Sequence, residues 1–209
     1  MKKKQKGVLK IIITMIIICF ILMISNICYK LYYKKNNPQN NVVDKMKNYN
    51  YALKERDHVI MKNTYKDLKE VLSHDNINMD DYAKDVSKLF VIDLFTLDNK
   101  ENNMDVGGID YVYESAKENF KLNVSNTLYK IIKTNYDGKR HQELPAVSDV
   151  KIENLTKEKF KINNEEEYDS YKIELNITYD KDLGYDKRAI VKSIIKEGKI
   201  YIVEYTTKE

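Results

Sequence analysis

The stretch Asp80–Leu97, DDYAKDVSKLFVIDLFTL, decides the fold of this chain. Its apolar residues recur at helical spacing, and its last two turns, LFVIDLF, are apolar on nearly all sides. Such a helix is stable only when other elements cover it. Asn78 or Asp80 can cap its N-terminus, where Asp80 and Asp81 suit the positive end of the helix dipole. We therefore predict one buried helix around which the rest of the domain packs.

Two further helical patterns lie on either side of this stretch. Residues Arg56–Ser73 and residues Asp110–Lys133 each place apolar side chains on one helical stripe, with lysine and glutamate between them. The sequence NVSN at Asn123–Asn126 can kink or divide the second helix. Upstream, Asn48–Leu53 alternates apolar and polar residues, which predicts a short strand.

Downstream of Pro145 the apolar period changes to two. In Tyr171–Tyr179 the apolar residues alternate strictly with polar ones, and Lys196, Glu197 and Gly198 supply a hairpin turn. The predicted strands are Asp149–Ile162, Tyr171–Tyr179, Arg188–Ile195 and Lys199–Tyr205. Helices followed by a strand meander predict an α+β domain, in which two to three helices pack on a curved antiparallel sheet of about four strands.

A second informative stretch is Ile11–Tyr29, IIITMIIICFILMISNICY, which runs for nineteen residues without a charge. A bilayer is spanned by about 20 apolar helical residues, and in lipid the backbone must form its hydrogen bonds within the helix. The stretch therefore predicts a transmembrane helix in contact with the lipid bilayer. The predicted membrane residues are Ile11, Ile12, Ile13, Met15, Ile16, Ile17, Ile18, Phe20, Ile21, Leu22, Ile24 and Tyr29.

This anchor divides the chain into four predicted regions. They are a basic cytoplasmic tail at residues 1–10, a transmembrane signal anchor at 11–32, a polar linker at 33–47 and an extracytoplasmic α+β domain at 48–209. No small-residue cleavage site follows the apolar run. Neither Cys19 nor Cys28 follows a small residue, as a lipoprotein cysteine would. We therefore predict that the anchor is not cleaved.

Charge is distributed unevenly along the chain. Residues 1–35 contain eight of the 36 basic residues and none of the 32 acidic ones, so the rest of the chain carries a net charge of −4. Five lysines precede the apolar run and three follow it. The positive-inside rule then predicts a single-pass protein of the cell membrane with its N-terminus in the cytoplasm. A weakly acidic domain repels phosphate backbones, which excludes nucleic acid as the expected partner.

The sequence contains no signature of catalysis. It lacks the G-x-S-x-G, P-loop and dinucleotide-binding patterns. The three histidines, His58, His74 and His141, show no metal-ligand spacing, and the cysteines lie only in the predicted anchor. Asp98–Asn103 is superficially similar to a calcium loop, but Lys100 occupies a ligand position. We predict no catalytic residue, cofactor, metal or disulfide in the domain.

The sequence DVGG at residues 105–108 contains two adjacent glycines, which can have more than one structural role. Paired glycines permit a tight turn or a close approach of backbone, and a phosphate cradle is the weaker alternative. Asp105, Gly107 and Gly108 are therefore the candidate turn or backbone-approach site. Four tyrosines lie on faces of the predicted strands: Tyr171, Tyr179, Tyr201 and Tyr205. We interpret them as members of the core or of cross-strand pairs, and a pocket or partner-binding face is the alternative.

The order of anchor, short strand, helices and strand meander resembles the NTF2-like (cystatin-like α+β) fold of the extracytoplasmic domains of VirB8- and TcpC-type conjugation proteins. The resemblance rests on Asp80–Leu97, Asp110–Lys133 and Asp149–Tyr205. KLFVIDLFTLDNKENNMDVGGIDYVY and YDKDLGYDKRAIV also resemble segments of membrane-anchored proteins of low-GC Gram-positive bacteria. The likeness implies a fold and a location, but it transfers no active-site residue, and fold does not imply function.

Three functional hypotheses follow from these observations. The first is a non-catalytic extracytoplasmic domain that binds a protein partner or self-associates, in an envelope, transport or conjugation assembly. The second is a membrane-tethered sensor or small-ligand-binding module, and the third is an enzyme that uses the cone of an NTF2-like sheet. A filled core with an exposed apolar patch favours the first, whereas a closed cone lined by an acid and tyrosines favours the others.

Overall fold

The computed structural model describes residues 13–28, 41–135, 138–162 and 167–208. The chain forms two compact units, residues 1–38 and residues 39–209. In the first unit residues 13–28 form helix α1, and its large apolar side chains are exposed. Of the predicted membrane residues, Ile11, Ile12 and Tyr29 lie outside the described residues. Within the described part of the chain, no helix has both the length and the apolar character needed to cross a bilayer.

The second unit begins with a β-hairpin, β1 (Val42–Met46) and β2 (Tyr51–Lys54), in which Met46 pairs with Tyr51. The sequence predicts a single strand at 48–53, whereas the structure has two short strands joined by a turn at residues 47–50. The difference arises at Asn50, which adopts a left-handed conformation with φ of 59° and lets the chain reverse. Asparagine is one of the few non-glycine residues that tolerate this conformation.

Two helices follow, α2 (Val59–Val71) and α3 (Met79–Phe95). The side chain of Asn78 caps α3, because its Oδ1 accepts hydrogen bonds from the backbone N–H groups of Asp80 and Asp81, at 3.1 and 3.4 Å. Eleven of the 17 residues of α3 are buried. The buried central helix predicted from the sequence is therefore confirmed.

The sheet is an antiparallel meander of four strands, in the order β3 (Val147–Lys161), β4 (Glu167–Tyr179), β5 (Arg188–Lys196) and β6 (Lys199–Lys208). The turn between β5 and β6 consists of Glu197 and Gly198, with φ of 53° and 73°. Two successive positive φ angles match the right-handed twist of the flanking strands. The predicted α+β class, with helices on a curved antiparallel sheet, is confirmed.

The predicted helix at Asp110–Lys133 is wrong over most of its length. The chain instead forms two 3₁₀ helices, Ile109–Tyr111 and Glu114–Ala116, and the shorter helix α4 (Lys117–Asn126). Between the 3₁₀ helices, Val112 is extended and forms a parallel bridge with Ile202 of β6. A backbone paired with a strand cannot continue a helix, and this tertiary contact overrides the helical pattern of the sequence.

Candidate functional site

The loop that leads from α3 to the first 3₁₀ helix contains the predicted residues Asp105, Gly107 and Gly108. Gly107 lies directly against α3, where a Cβ atom would be 2.0 Å from the carbonyl oxygen of Asp93. Gly108 has φ of +76°, and its Cβ would be 2.9 Å from the Phe90 ring. The loop backbone therefore packs on the helix at a distance that only glycine allows.

An ion pair between Asp93 and Lys100 holds this loop to α3. Lys100 Nζ donates to Asp93 Oδ1 at 2.6 Å, and the Lys100 side chain has no exposed surface. Gly108 N–H donates to the other carboxylate oxygen at 2.7 Å. Burial raises the pKa of Asp93, but Lys100, Lys54 and the Gly108 N–H outweigh it and hold the pKa below its usual value. The carboxylate therefore stays ionised.

A second ion pair, between Arg56 and Asp105, fixes the middle of the loop. The guanidinium binds both carboxylate oxygens, with Nη2 at 2.8 Å from Oδ1, and the Arg56 side chain is 3 % exposed. Burial raises the pKa of Asp105, but Arg56 outweighs burial and lowers it. Bidentate arginine–carboxylate pairs add geometric precision to their electrostatic energy.

Tyr129, which follows α4, completes the attachment of the loop. Its hydroxyl donates to the carbonyl of Leu94 at 2.8 Å and accepts from Gly107 N–H at 3.1 Å. Burial raises the pKa of this hydroxyl well above its usual value, so it stays protonated. Both carboxylates and the phenol hydroxyl are therefore engaged in holding the loop in place. We call Arg56, Asp93, Lys100, Asp105 and Tyr129 the loop anchor.

The histidines do not converge. His58 Nε2 lies 3.1 Å from Asp98 Oδ1, and this carboxylate raises the pKa of the histidine. His74 is in the turn between α2 and α3, and His141 is in the chain that leads to β3. Among the described residues, no group of three or more histidine, cysteine or acidic side chains could hold a metal ion.

The loop anchor delivers residues 112 and 113 to β6, and this placement creates a surface groove. Tyr113 N–H donates to the carbonyl of Ile202 at 2.9 Å. Beyond this bond the chain turns away into α4, which leaves a cavity of about 280 Å³ between α4 and β6. Phe120 and Tyr205, both partly exposed, form its apolar wall and pack on the fully buried Phe90, with ring centroids 5.6 to 5.9 Å apart.

A second cavity of about 340 Å³ continues the first towards the tip of the β3–β4 hairpin. The two share Ala116 and Asn119 on the α4 side and Val203 on β6. Phe160 and Ile162, at the end of β3, supply further apolar surface. We call the two together the β6–α4 groove. Its lining combines apolar and aromatic side chains with polar and charged ones, a mixture that is common in binding sites.

No match to this chain was found among models of protein families, curated proteins or solved structures. The groove therefore has to be interpreted from its own chemistry.

Two lysines are held by tyrosine rings beside the groove. Lys199 Nζ lies 4.9 Å from the ring centre of Tyr51 and 4.7 Å from that of Tyr201. Lys196 Nζ donates to the Tyr113 hydroxyl at 2.8 Å, and Tyr113 packs edge-on against Tyr201 at 5.6 Å. These cation–π contacts order side chains that are usually mobile on a surface.

The four tyrosines singled out in the strands have different roles. Tyr171 is buried and donates to Asp80 at 2.8 Å, and Tyr179 donates to the carbonyl of Asp186 at 2.9 Å. Tyr201 takes part in the tyrosine–lysine contacts, and Tyr205 lines the groove. The sequence missed the groove itself, because its walls come from α4, β3 and β6. The strongest available signal is the aromatic content of β6, IYIVEY.

Proposed function

We propose that this protein is a single-pass membrane protein that presents a non-catalytic domain outside the cytoplasm, and that the domain binds a protein partner through the β6–α4 groove. The partner would belong to an envelope, transport or conjugation assembly. The anchor is the stretch Ile11–Tyr29, and the lysine distribution supports a cytoplasmic N-terminus.

The observation that carries the proposal is a filled core next to an open apolar groove. At the centre of the helix–sheet interface Val86, Leu89, Ile173 and Val191 have no exposed surface. Around these residues the helix-facing side of the sheet is filled by side chains of α3. The groove keeps partly accessible apolar surface at Phe120, Val203 and Tyr205 on the outside of the domain, which favours a partner site.

An NTF2-like fold is the finer form of the structural proposal. Its support is the order of elements, in which helices precede one continuous antiparallel meander. The architecture does not select a function by itself. The partner-binding proposal therefore rests on the groove.

Site-specific photo-crosslinking in cells tests the groove. A benzophenone amino acid is introduced at Asn119, which is exposed and lies in both cavities, or at Asn154, which is exposed on the edge strand β3. The probe at Asn119 is expected to give a defined heavier adduct that the probe at Asn154 does not give. Ala116→Arg, which fills the groove, should abolish the adduct, whereas Thr156→Arg on β3 should not.

Two results would overturn this proposal. One is the recovery of monomer alone from both probe positions, and the other is an adduct that forms equally well when the groove is filled. The membrane placement has its own test, in which protease is added to intact cells stripped of their wall. The domain is expected to be digested while the basic tail is protected, and the opposite pattern would reverse the orientation.

A further inference from the structure

The outer edge of β6 has no strand partner over most of its length. On its inner side β6 pairs with β5, from Arg188 with Lys208 to Lys196 with Lys199. On its outer side, among the described residues, the bridge from Val112 to Ile202 is the only backbone pairing with another segment. From Val203 onwards the edge offers backbone N–H and C=O groups, which favour pairing with another extended chain.

The opposite edge of the sheet differs in its charge. β3 has the sequence VSDVKIENLTKEKFK, with a charged residue at nearly every second or third position. Frequent charges, above all lysines, are a common protection of edge strands against pairing. The last part of β6, EYTTK at residues 204–208, has a charge only at each end. The β6 edge is therefore the less protected of the two.

Those two charges are arranged symmetrically. Glu204 and Lys208 lie two positions before and two positions after Thr206, and the register of β6 is regular from Glu204 to Lys208. If a second β6 strand runs antiparallel with Thr206 opposite Thr206, Glu204 of each copy lies opposite Lys208 of the other. Opposite-charge and Thr–Thr pairs directly across antiparallel strands are stabilising. A second copy of this segment supplies both opposite-charge pairs at once, in addition to the ion pair that Glu204 makes with Lys192 within each copy.

The β6 edge borders a cavity at one end of the segment that would pair. The cavity between α4 and β6 lies beside Val203, Glu204 and Tyr205, at the point where an incoming strand would end. Thr206 and Glu204 are both exposed. The second β6 strand would lie along the same edge as Tyr113, which already bonds to this edge at Ile202.

We infer that two copies of the chain pair through their β6 edges, antiparallel about a two-fold axis at Thr206, so that their sheets join into one of eight strands. The same patch of both copies forms the interface, as in most homodimers. The inference rests on the proposed function, since it names one partner of the interaction domain.

Cysteine crosslinking of the full chain in its membrane tests this arrangement. The natural cysteines Cys19 and Cys28 are first replaced by alanine, and Thr206→Cys is then introduced. Directly opposed antiparallel residues have Cα atoms about 4.5–5.5 Å apart, which is within the range that a disulfide spans. Mild oxidation should therefore convert the variant to a covalent dimer. Thr156→Cys, exposed on the edge strand β3, is the matched control and should stay monomeric.

Charge reversal provides the specific readout. Glu204→Lys added to Thr206→Cys should reduce the dimer yield about tenfold, because two attractive cross-strand pairs become repulsive. The same change removes the ion pair of Glu204 with Lys192 of β5 within each copy, at 3.2 Å, and a double reversal with Lys208→Glu does not restore that pair. Adding Lys208→Glu should restore the yield, which a variant that merely misfolds could not show. Far-UV circular dichroism is used to check that each variant is folded.

Equal dimer yields from Thr206→Cys and Thr156→Cys would overturn the inference, as would a failure of the double reversal to restore the dimer. If Thr206→Cys stays monomeric while the probe at Asn119 still captures a protein, the β6 pairing is wrong and the proposed function stands. If both experiments recover only monomer, the proposed function fails as well.

Discussion

Replacing Asp85 by asparagine is expected to stabilise the domain at neutral pH. Asp85 lies on α3 and is only 8 % exposed. Its nearest cation is Lys88, with Nζ 3.7 Å from Oδ1, while Asp67 of α2 and Asp81 add repulsion. Burial, reinforced by these carboxylates, raises the pKa of Asp85 to about 6 from an ordinary value of 3.8.

The sign of the effect follows from proton binding. Because the folded pKa is the higher one, the folded state holds more protons than the unfolded state between pH 3.8 and about 6. The free energy of unfolding therefore falls as pH rises through this window. The pKa difference corresponds to at most about 3 kcal/mol at pH 7, and the remaining contact with Lys88 makes about 1–3 kcal/mol the expected gain on neutralisation. Below pH 3.8 the carboxyl is neutral in both states and the gain disappears.

Urea unfolding of the full chain in detergent, followed by far-UV circular dichroism, measures this difference. Asp85→Asn should raise the unfolding midpoint at pH 7 and leave it nearly unchanged at about pH 3. Asp75→Asn, in the exposed turn between α2 and α3, is the matched control and should change stability by less than about 0.5 kcal/mol at either pH. A destabilised Asp85→Asn variant at pH 7, or an equal gain at both pH values, would refute the assignment of Asp85 as a strained carboxylate.

Three further perturbations can be checked by the same unfolding measurement. Gly107→Ala should lower the free energy of unfolding by at least about 3 kcal/mol, because the new methyl group would meet the backbone of α3. Gly184→Ala, in open space at φ of +78°, is the control and should lower it by about 1 kcal/mol. Equal losses would contradict the close approach of Gly107 to α3. Lys100→Met should lower the free energy of unfolding by about 3–5 kcal/mol, because it leaves the buried Asp93 carboxylate without its cation. Adding Asp93→Asn to the same chain should recover part of this loss. No recovery would argue against the ion pair. The His58–Asp98 contact should contribute stability that is fully present below pH 6.5 and lost as pH rises through the higher folded pKa of the histidine. His58→Gln should remove this contribution. Parallel plots of unfolding free energy against pH for the two proteins would be inconsistent with the contact.

The elements that the sequence predicted well are those whose signals are local. The apolar turns of α3 and its Asn78 cap lie within one continuous stretch, and the period-two alternation of β4 repeats along its own strand. The turn at Glu197 and Gly198 likewise depends on two adjacent residues. Each of these patterns can be read without knowing what the element packs against.

The elements that were missed depend on distant partners. Residues 110–133 have a helical pattern, but Tyr113 bonds to Ile202 nearly ninety positions away, and the backbone is extended there. Three of the five residues of β1 are apolar, but a strand forms there only because β2 pairs with it, and Tyr51 of β2 donates to the carbonyl of Ile200 at 3.0 Å. The candidate groove shares this property, since its two walls meet only after the loop anchor has brought residues 112 and 113 to β6.

Lys100 has a consequence for the conditions under which the domain holds its shape. In many acidic loops a divalent ion bound from solution neutralises the carboxylates, and the order of the loop then follows the supply of that ion. In this chain the ammonium of Lys100 neutralises Asp93 and is covalently part of the polypeptide. Chelators and changes in ambient calcium or magnesium cannot remove it, so the surface that depends on this loop keeps its geometry across environments of very different mineral content.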